Sequence, residues 1–94
     1  MKKTNIPPVT SIDNALKIYY ENSEMGNQEI LRLFGKRSSA TVSRLKRAVR
    51  NEMAKREVLS YGLYKVNTSI AYEVWGIDVV DLERRMKKLK NLGL

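Results

Sequence analysis

Val42, Leu45, Val49 and Met53 recur at spacings of three, four and four, and this stripe limits what the chain around it can be. Only an α-helix puts the four side chains on one face, within about 60° of Val42 when each residue turns about 100°. The rest of that helix must then face outward. Between Lys36 and Arg56 it carries eight basic residues, Lys36, Arg37, Arg44, Lys46, Arg47, Arg50, Lys55 and Arg56, against one acid, Glu52. Nearly all of the formal net charge of +8 is therefore concentrated on one segment with a single apolar seam. A block of this kind points first to nucleic acid and second to an anionic membrane surface, since both offer dense negative charge.

A helix with one apolar stripe needs neighbours to cover it, and the flanking sequence supplies them. Thr10-Ser11-Ile12-Asp13 has capping-box spacing and opens a first helix with Ile12, Ala15, Leu16 and Tyr19 inward. Asn22-Ser23 and Gly26-Asn27 end it. Gln28 to Phe34 make a short second helix with Ile30, Leu31 and Phe34 inward, closed by Gly35. Ser38 or Ser39 caps the third helix, which runs to about Arg56 or Glu57.

Val58 to Val66, "VLSYGLYKV", reads as an irregular connector, with a small winged hairpin around Gly62 as the alternative. Asn67 or Thr68 then caps a fourth helix with Ile70, Ala71, Val74 and Trp75 inward. Asp78 caps a fifth that carries Val79, Leu82, Met86 and Leu89 and ends near Gly93. A shift of 40 residues carries Asn27 to Asn67, Ile30 to Ile70 and Arg44 to Arg84, which suggests a second unit of the same helical layout.

The fold expected is all-α, a small bundle of about five helices holding one or two helix-turn-helix units over a shared core. Its parts are a flexible arm over 1–9, a helix-turn-helix unit over 10–57, a connector over 58–66 and a C-terminal helical unit, helix-turn-helix-like or dimerising, over 67–94. A chain of 94 residues fits one modest core. The chain contains neither cysteine nor histidine. A disulfide or thiolate metal site is thus impossible, and the commonest general base and metal ligand are missing, which argues against an enzyme and against a metal or other cofactor. Met1-Lys2-Lys3 resembles the start of a signal peptide, but no apolar stretch follows it, and no run is long enough to span a bilayer. A cytoplasmic protein with no membrane partner is expected, nucleoid-associated if bacterial.

The third helix can be resolved further by its wheel. Opposite the apolar stripe lie Ala40, Arg44, Arg47 and Asn51, with Ser43 on the shoulder. Small residues at the start let a helix approach a major groove closely, and arginines one turn later present forks that match guanine O6 and N7. Ser39, Ala40, Ser43, Arg44 and Arg47 are the candidate base-reading residues. Lys36 and Arg37 in the turn, with Lys46 and Arg50 to one side, are the candidate phosphate contacts. The plain alternative is a solvated helix face, but such a face is normally laced with Glu–Lys or Glu–Arg pairs at i,i+4, and none occurs between Ala40 and Asn51.

The stretch "QEILRLFGKRSSATVSRLKR" resembles the helix-turn-helix of bacterial and phage DNA-binding proteins of the resolvase and transposase type. Gly35, Ser38 or Ser39, and Thr41-Val42-Ser43-Arg44-Leu45 carry the likeness. Leu31 stands where that family has a small residue, Lys36 where it has an apolar one, and one additional residue separates Gly35 from Val42. A resolvase catalytic domain has no room here, so the resemblance implies DNA binding without recombination chemistry.

The second unit has the opposite polarity. Asp78, Asp81 and Glu83 open the fifth helix and Arg84, Arg85, Lys87, Lys88 and Lys90 close it, the order the helix dipole favours in any helix. Capping, and not a catalytic or metal pair, accounts for Asp78 and Asp81, and the apolar stripe of that helix suits core closure or a homodimer. Tyr19, Tyr20, Tyr61, Tyr64, Tyr72 and Trp75 are expected in the core and not as stacking platforms for single strands. The expected function is sequence-specific binding of double-stranded DNA through helix three, as a transcription regulator or a phage or mobile-element accessory factor. A protein-interaction module whose basic face docks an acidic partner is the alternative.

Overall fold

Five helices and one minimal strand pair make up the fold in a computed structural model, which describes residues 6–93. The elements run α1 (Ile12–Glu21), β1 (Glu24–Met25), α2 (Asn27–Phe34), α3 (Ser39–Lys55), β2 (Val66–Asn67), α4 (Thr68–Val74) and α5 (Val79–Asn91). The architecture is thus that of a small, mostly helical, all-α-like fold with one short strand pair added. The strands pair antiparallel, Glu24 opposite Asn67 and Met25 opposite Val66, and the Thr68 N–H extends the ladder to the Ser23 carbonyl at 3.0 Å. They join the start of α2 to the start of α4. A strand of two residues has no periodicity to read, and its partner lies far along the chain, so nothing in the sequence pattern announced it.

Helix starts follow the caps. The Ser11 hydroxyl accepts the Asn14 N–H, so Asn14 holds the third helical position and Asp13 is merely an acid in the first turn. Ser38 caps α3 through the Thr41 N–H, Asn67 caps α4 through the Ile70 N–H, and Asp78 caps α5 through the Asp81 N–H. Gly35 ends α2 at φ 84° and ψ −179°, a conformation closed to residues with a Cβ. The turn it opens is four residues long, and Trp75 to Asp78 make a turn of the same length between α4 and α5.

The core gathers one face of each of the first four helices. Ala15 and Ile18 of α1, Ile30, Leu33 and Phe34 of α2, Val42, Leu45, Val49 and Met53 of α3, and Ile70, Ala71, Tyr72 and Trp75 at α4 are buried, with Met25 and Val66 from the strands. The α3 stripe is as the spacing predicts. On α1 and α2 the inward direction is turned by about a residue. Ile18 and Leu33 are fully covered, whereas Ile12, Leu16, Tyr19 and Leu31 are only half-buried. Val74 is also half-buried, with Tyr72 taking the interior and donating its hydroxyl to the Ala15 carbonyl at 2.6 Å.

Two further expectations change. The proposed flexible arm over 1–9 falls partly outside the described residues, and its last part packs: Ile6 and Val9 lie against the core, and the Thr10 N–H bonds the Leu33 carbonyl at 2.8 Å. Tyr20, Tyr61 and Tyr64 are exposed, not core residues. The stripe of α5 is half-buried throughout, with Val79 and Leu82 packed on the core. That helix lies against α1, where Tyr20 donates its hydroxyl to the Glu83 carboxylate at 2.6 Å. Among the described residues no helix is long and apolar enough to cross a membrane.

Candidate nucleic-acid interface

With Leu45 and Val49 fully covered, the rotation of α3 is fixed and its opposite side has to face out. Ala40, Ser43, Arg44 and Arg47 are exposed there, as the wheel predicts, while Ser39, about 60° from Val42, is exposed as the first residue of the helix and Arg50 is exposed on the flank. The helix is 17 residues long, a rod of about 25 Å, so the strip from Ser39 to Arg50 covers most of its first three turns. Lys36 and Arg37 project from the turn before it. Arg37 is held there because its Nε–H donates to the Phe34 carbonyl at the end of α2, at 3.2 Å.

The charge on this face is uncompensated. Among the described residues, Lys36, Arg37, Arg44, Arg47 and Arg50 form no ion pair with a carboxylate. Other arginines are spoken for: Arg32 faces Glu29, Arg84 and Arg85 share Asp81, and Arg56 bridges Glu52 at 2.9 Å and Glu73 at 2.7 Å. Arg56 belongs to the basic segment by sequence but is neutralised by its partners. On α5 the acids are engaged within the protein, Asp78 as cap, Asp81 with its two arginines and Glu83 with Tyr20.

Lys46 does not share the exposure of the other candidate phosphate contacts. It is only 9% exposed, its stem lies along the core face of α3, and its ammonium donates to Asn27 Oδ1 at the start of α2, at 3.1 Å. Burial, with the Arg50 charge adding to it, holds this ammonium below the usual lysine range. The wheel already contains the reason, since Lys46 falls about 40° from Val42, inside the apolar arc.

Two residues not anticipated from sequence border the same face. Asn27 and Tyr64 close one side of a cleft of about 550 Å³ whose other wall is Ser43, Lys46, Arg47 and Arg50. Tyr64 reaches it from the connector with a positive φ of 62°, a conformation that no local pattern encodes for a tyrosine. No family model, curated protein or solved structure matches the chain. The case for the site therefore rests on the placement of these side chains.

Lys46 and the outward arginines should separate in stability measurements. Lys46→Ala is expected to destabilise by about 1–2 kcal/mol through loss of the packed stem, while Lys46→Met, which keeps the stem without the charge, stays near the parent. Arg44→Ala and Arg47→Ala should change stability by no more than about 0.5 kcal/mol. Urea unfolding followed through the buried Trp75 reads all four variants. Equal losses for Lys46→Ala and Lys46→Met would shift the weight from the stem to the bond with Asn27.

Proposed function

We propose that the protein binds double-stranded DNA in a sequence-specific manner, with α2, the Gly35–Ser38 turn and α3 acting as a helix-turn-helix and α3 as the element that enters the major groove. The observation that carries this reading is the row of cations without ion-pair partners among the described residues, Lys36, Arg37, Arg44, Arg47 and Arg50, along the turn and the solvent side of α3. Duplex DNA presents about one negative charge per 1.7 Å of axis, so a straight row of free cations on a helix is the natural complement. Ser39, Ala40 and Ser43 keep the leading part of that row low, so the backbone of α3 can approach base edges before Arg44 and Arg47 reach them. Lys36, Arg37 and Arg50 flank the row and meet phosphates. A role as transcription regulator or mobile-element accessory factor follows from binding of this kind, without any chemistry by the chain itself.

If about five phosphates are neutralised, log K falls against log salt with a slope of roughly −4.5, and affinity drops on the order of 500-fold between 50 and 200 mM salt. Fluorescence anisotropy with a labelled duplex measures this, with polyglutamate as competitor. Binding that is absent at 50 mM salt, or unchanged across that range, would contradict the reading, and removal by polyglutamate as readily as by unlabelled duplex would favour the docking of an acidic protein partner instead.

The arginines divide by position. Arg44 lies about one turn into α3, where recognition helices reach base edges, and Arg50 lies on the flank. On a selected site Arg44→Ala should cost about 1–3 kcal/mol and relax preference at one base pair. Arg50→Ala should weaken selected and random duplexes alike and flatten the salt slope by about one. An equal loss on both duplexes for Arg44→Ala would make Arg44 a phosphate contact and shift the reading face elsewhere.

A further inference from the structure

The connector between α3 and β2 holds its large side chains out in a way that core formation does not explain. Leu59 is 83% exposed, Tyr61 98%, Leu63 81% and Tyr64 70%. Four such residues in six positions are an unusual apolar surface for a small basic protein, and surfaces of this type mark contact sites. The segment is also pinned. Glu24 of β1 accepts the Tyr61 N–H at 2.7 Å and the Gly62 N–H at 2.8 Å through its two carboxylate oxygens, and the Ser60 hydroxyl donates to the Lys65 carbonyl at 2.6 Å. The arrangement is close around Gly62, where a Cβ would lie 2.7 Å from the Lys65 side chain and 3.2 Å from Glu24, so a larger residue would push these side chains aside. A loop held this way presents its side chains with little ordering left to do on binding.

Its position selects the occupant. Tyr64 shares the cleft of about 550 Å³ with Arg47 and Arg50, two of the cations assigned above to DNA. A polyanion strand seated in that cleft meets both guanidinium groups and the Tyr64 ring together. We infer that the connector is a second DNA-contacting element, in which Tyr64 packs its ring on the sugar face of the strand whose phosphate Arg50 neutralises. The inference rests on the duplex-binding reading and adds a non-ionic contact to it. Tyrosine can reach both sugar and phosphate, and its ring contributes without releasing counterions.

The absence of a charge at Tyr64 gives the test its discrimination. Parent protein, Tyr64→Ala, Tyr64→Phe and Glu24→Gln are titrated onto a random 30-base-pair duplex at several salt concentrations, after melting has shown each to be folded. Tyr64→Ala is expected to weaken binding about fivefold or more at every salt concentration with the slope unchanged, and Tyr64→Phe to retain most of the affinity. Glu24→Gln, which loosens the pinned loop, should give a smaller loss of the same kind. Parent-like binding by Tyr64→Ala overturns the connector's role and leaves α3 as the whole interface, with the loop free to dock a protein. A changed slope for Tyr64→Ala, or a loss in Tyr64→Phe as large as in Tyr64→Ala, also overturns the ring contact. If the parent itself fails to bind duplex, the duplex-binding reading fails first and this inference with it.

Discussion

Trp75 fixes the orientation on which the exposed basic face depends. It is buried between helices, its indole N–H donates to the Leu45 carbonyl at 3.2 Å, and its ring meets Phe34 edge-on with centroids 5.2 Å apart. One side chain at the end of α4 thereby touches both helices that flank the four-residue turn. The bond reaches α3 on its Leu45 side, so the arc containing Val42, Leu45 and Val49 is locked inward and the arc containing Arg44 and Arg47 is locked outward. A buried indole N–H without a partner is costly, and this one is satisfied by the helix it positions.

The strand pair completes the frame from the other end. Met25 and Val66 are fully buried, and their ladder ties the entry of α2 to the entry of α4. The same short pair places Glu24 beneath the connector, where its carboxylate holds the Tyr61 and Gly62 amides. The position of Tyr64 beside Arg47 and Arg50 is thus a consequence of β1 and β2, and the cleft belongs to the tertiary fold, not to α3 alone. α5 contributes differently. It covers α1 with a half-buried stripe and consumes its own acids in caps and ion pairs, which leaves its late lysines as a solvated surface.

The parts legible in the sequence are those with a period and a cap. The stripe Val42, Leu45, Val49, Met53, the cap at Ser38, the positive-φ glycine at 35 and the acid cap at Asp78 follow from local chemistry and stand as expected. Outward placement of Ala40, Ser43, Arg44 and Arg47 follows from the same wheel, whereas Ser39 is exposed because it stands at the helix start. The inward placement of Lys46 follows from its wheel angle and not from its charge, and a long aliphatic stem lets a lysine occupy such a place. The spacing alone does not single out Ile18 and Leu33, since several apolar residues on α1 and α2 compete for one face, and only the packed neighbours choose among them. The two-residue strands and the backbone of Tyr64 depend on contacts between distant segments, which no local window contains.

The central claim is that one surface, the turn from Lys36 to Ser38 with the outer side of α3, meets duplex DNA while α5 does not. Backbone amide resonances followed during titration with a short duplex test it residue by residue. Shifts concentrated at Lys36, Arg37, Ser39, Ala40, Ser43, Arg44 and Arg47, with α5 from Arg84 to Lys90 unmoved, are the predicted result. Shifts centred on α5, or spread evenly over every exposed lysine and arginine, would contradict it.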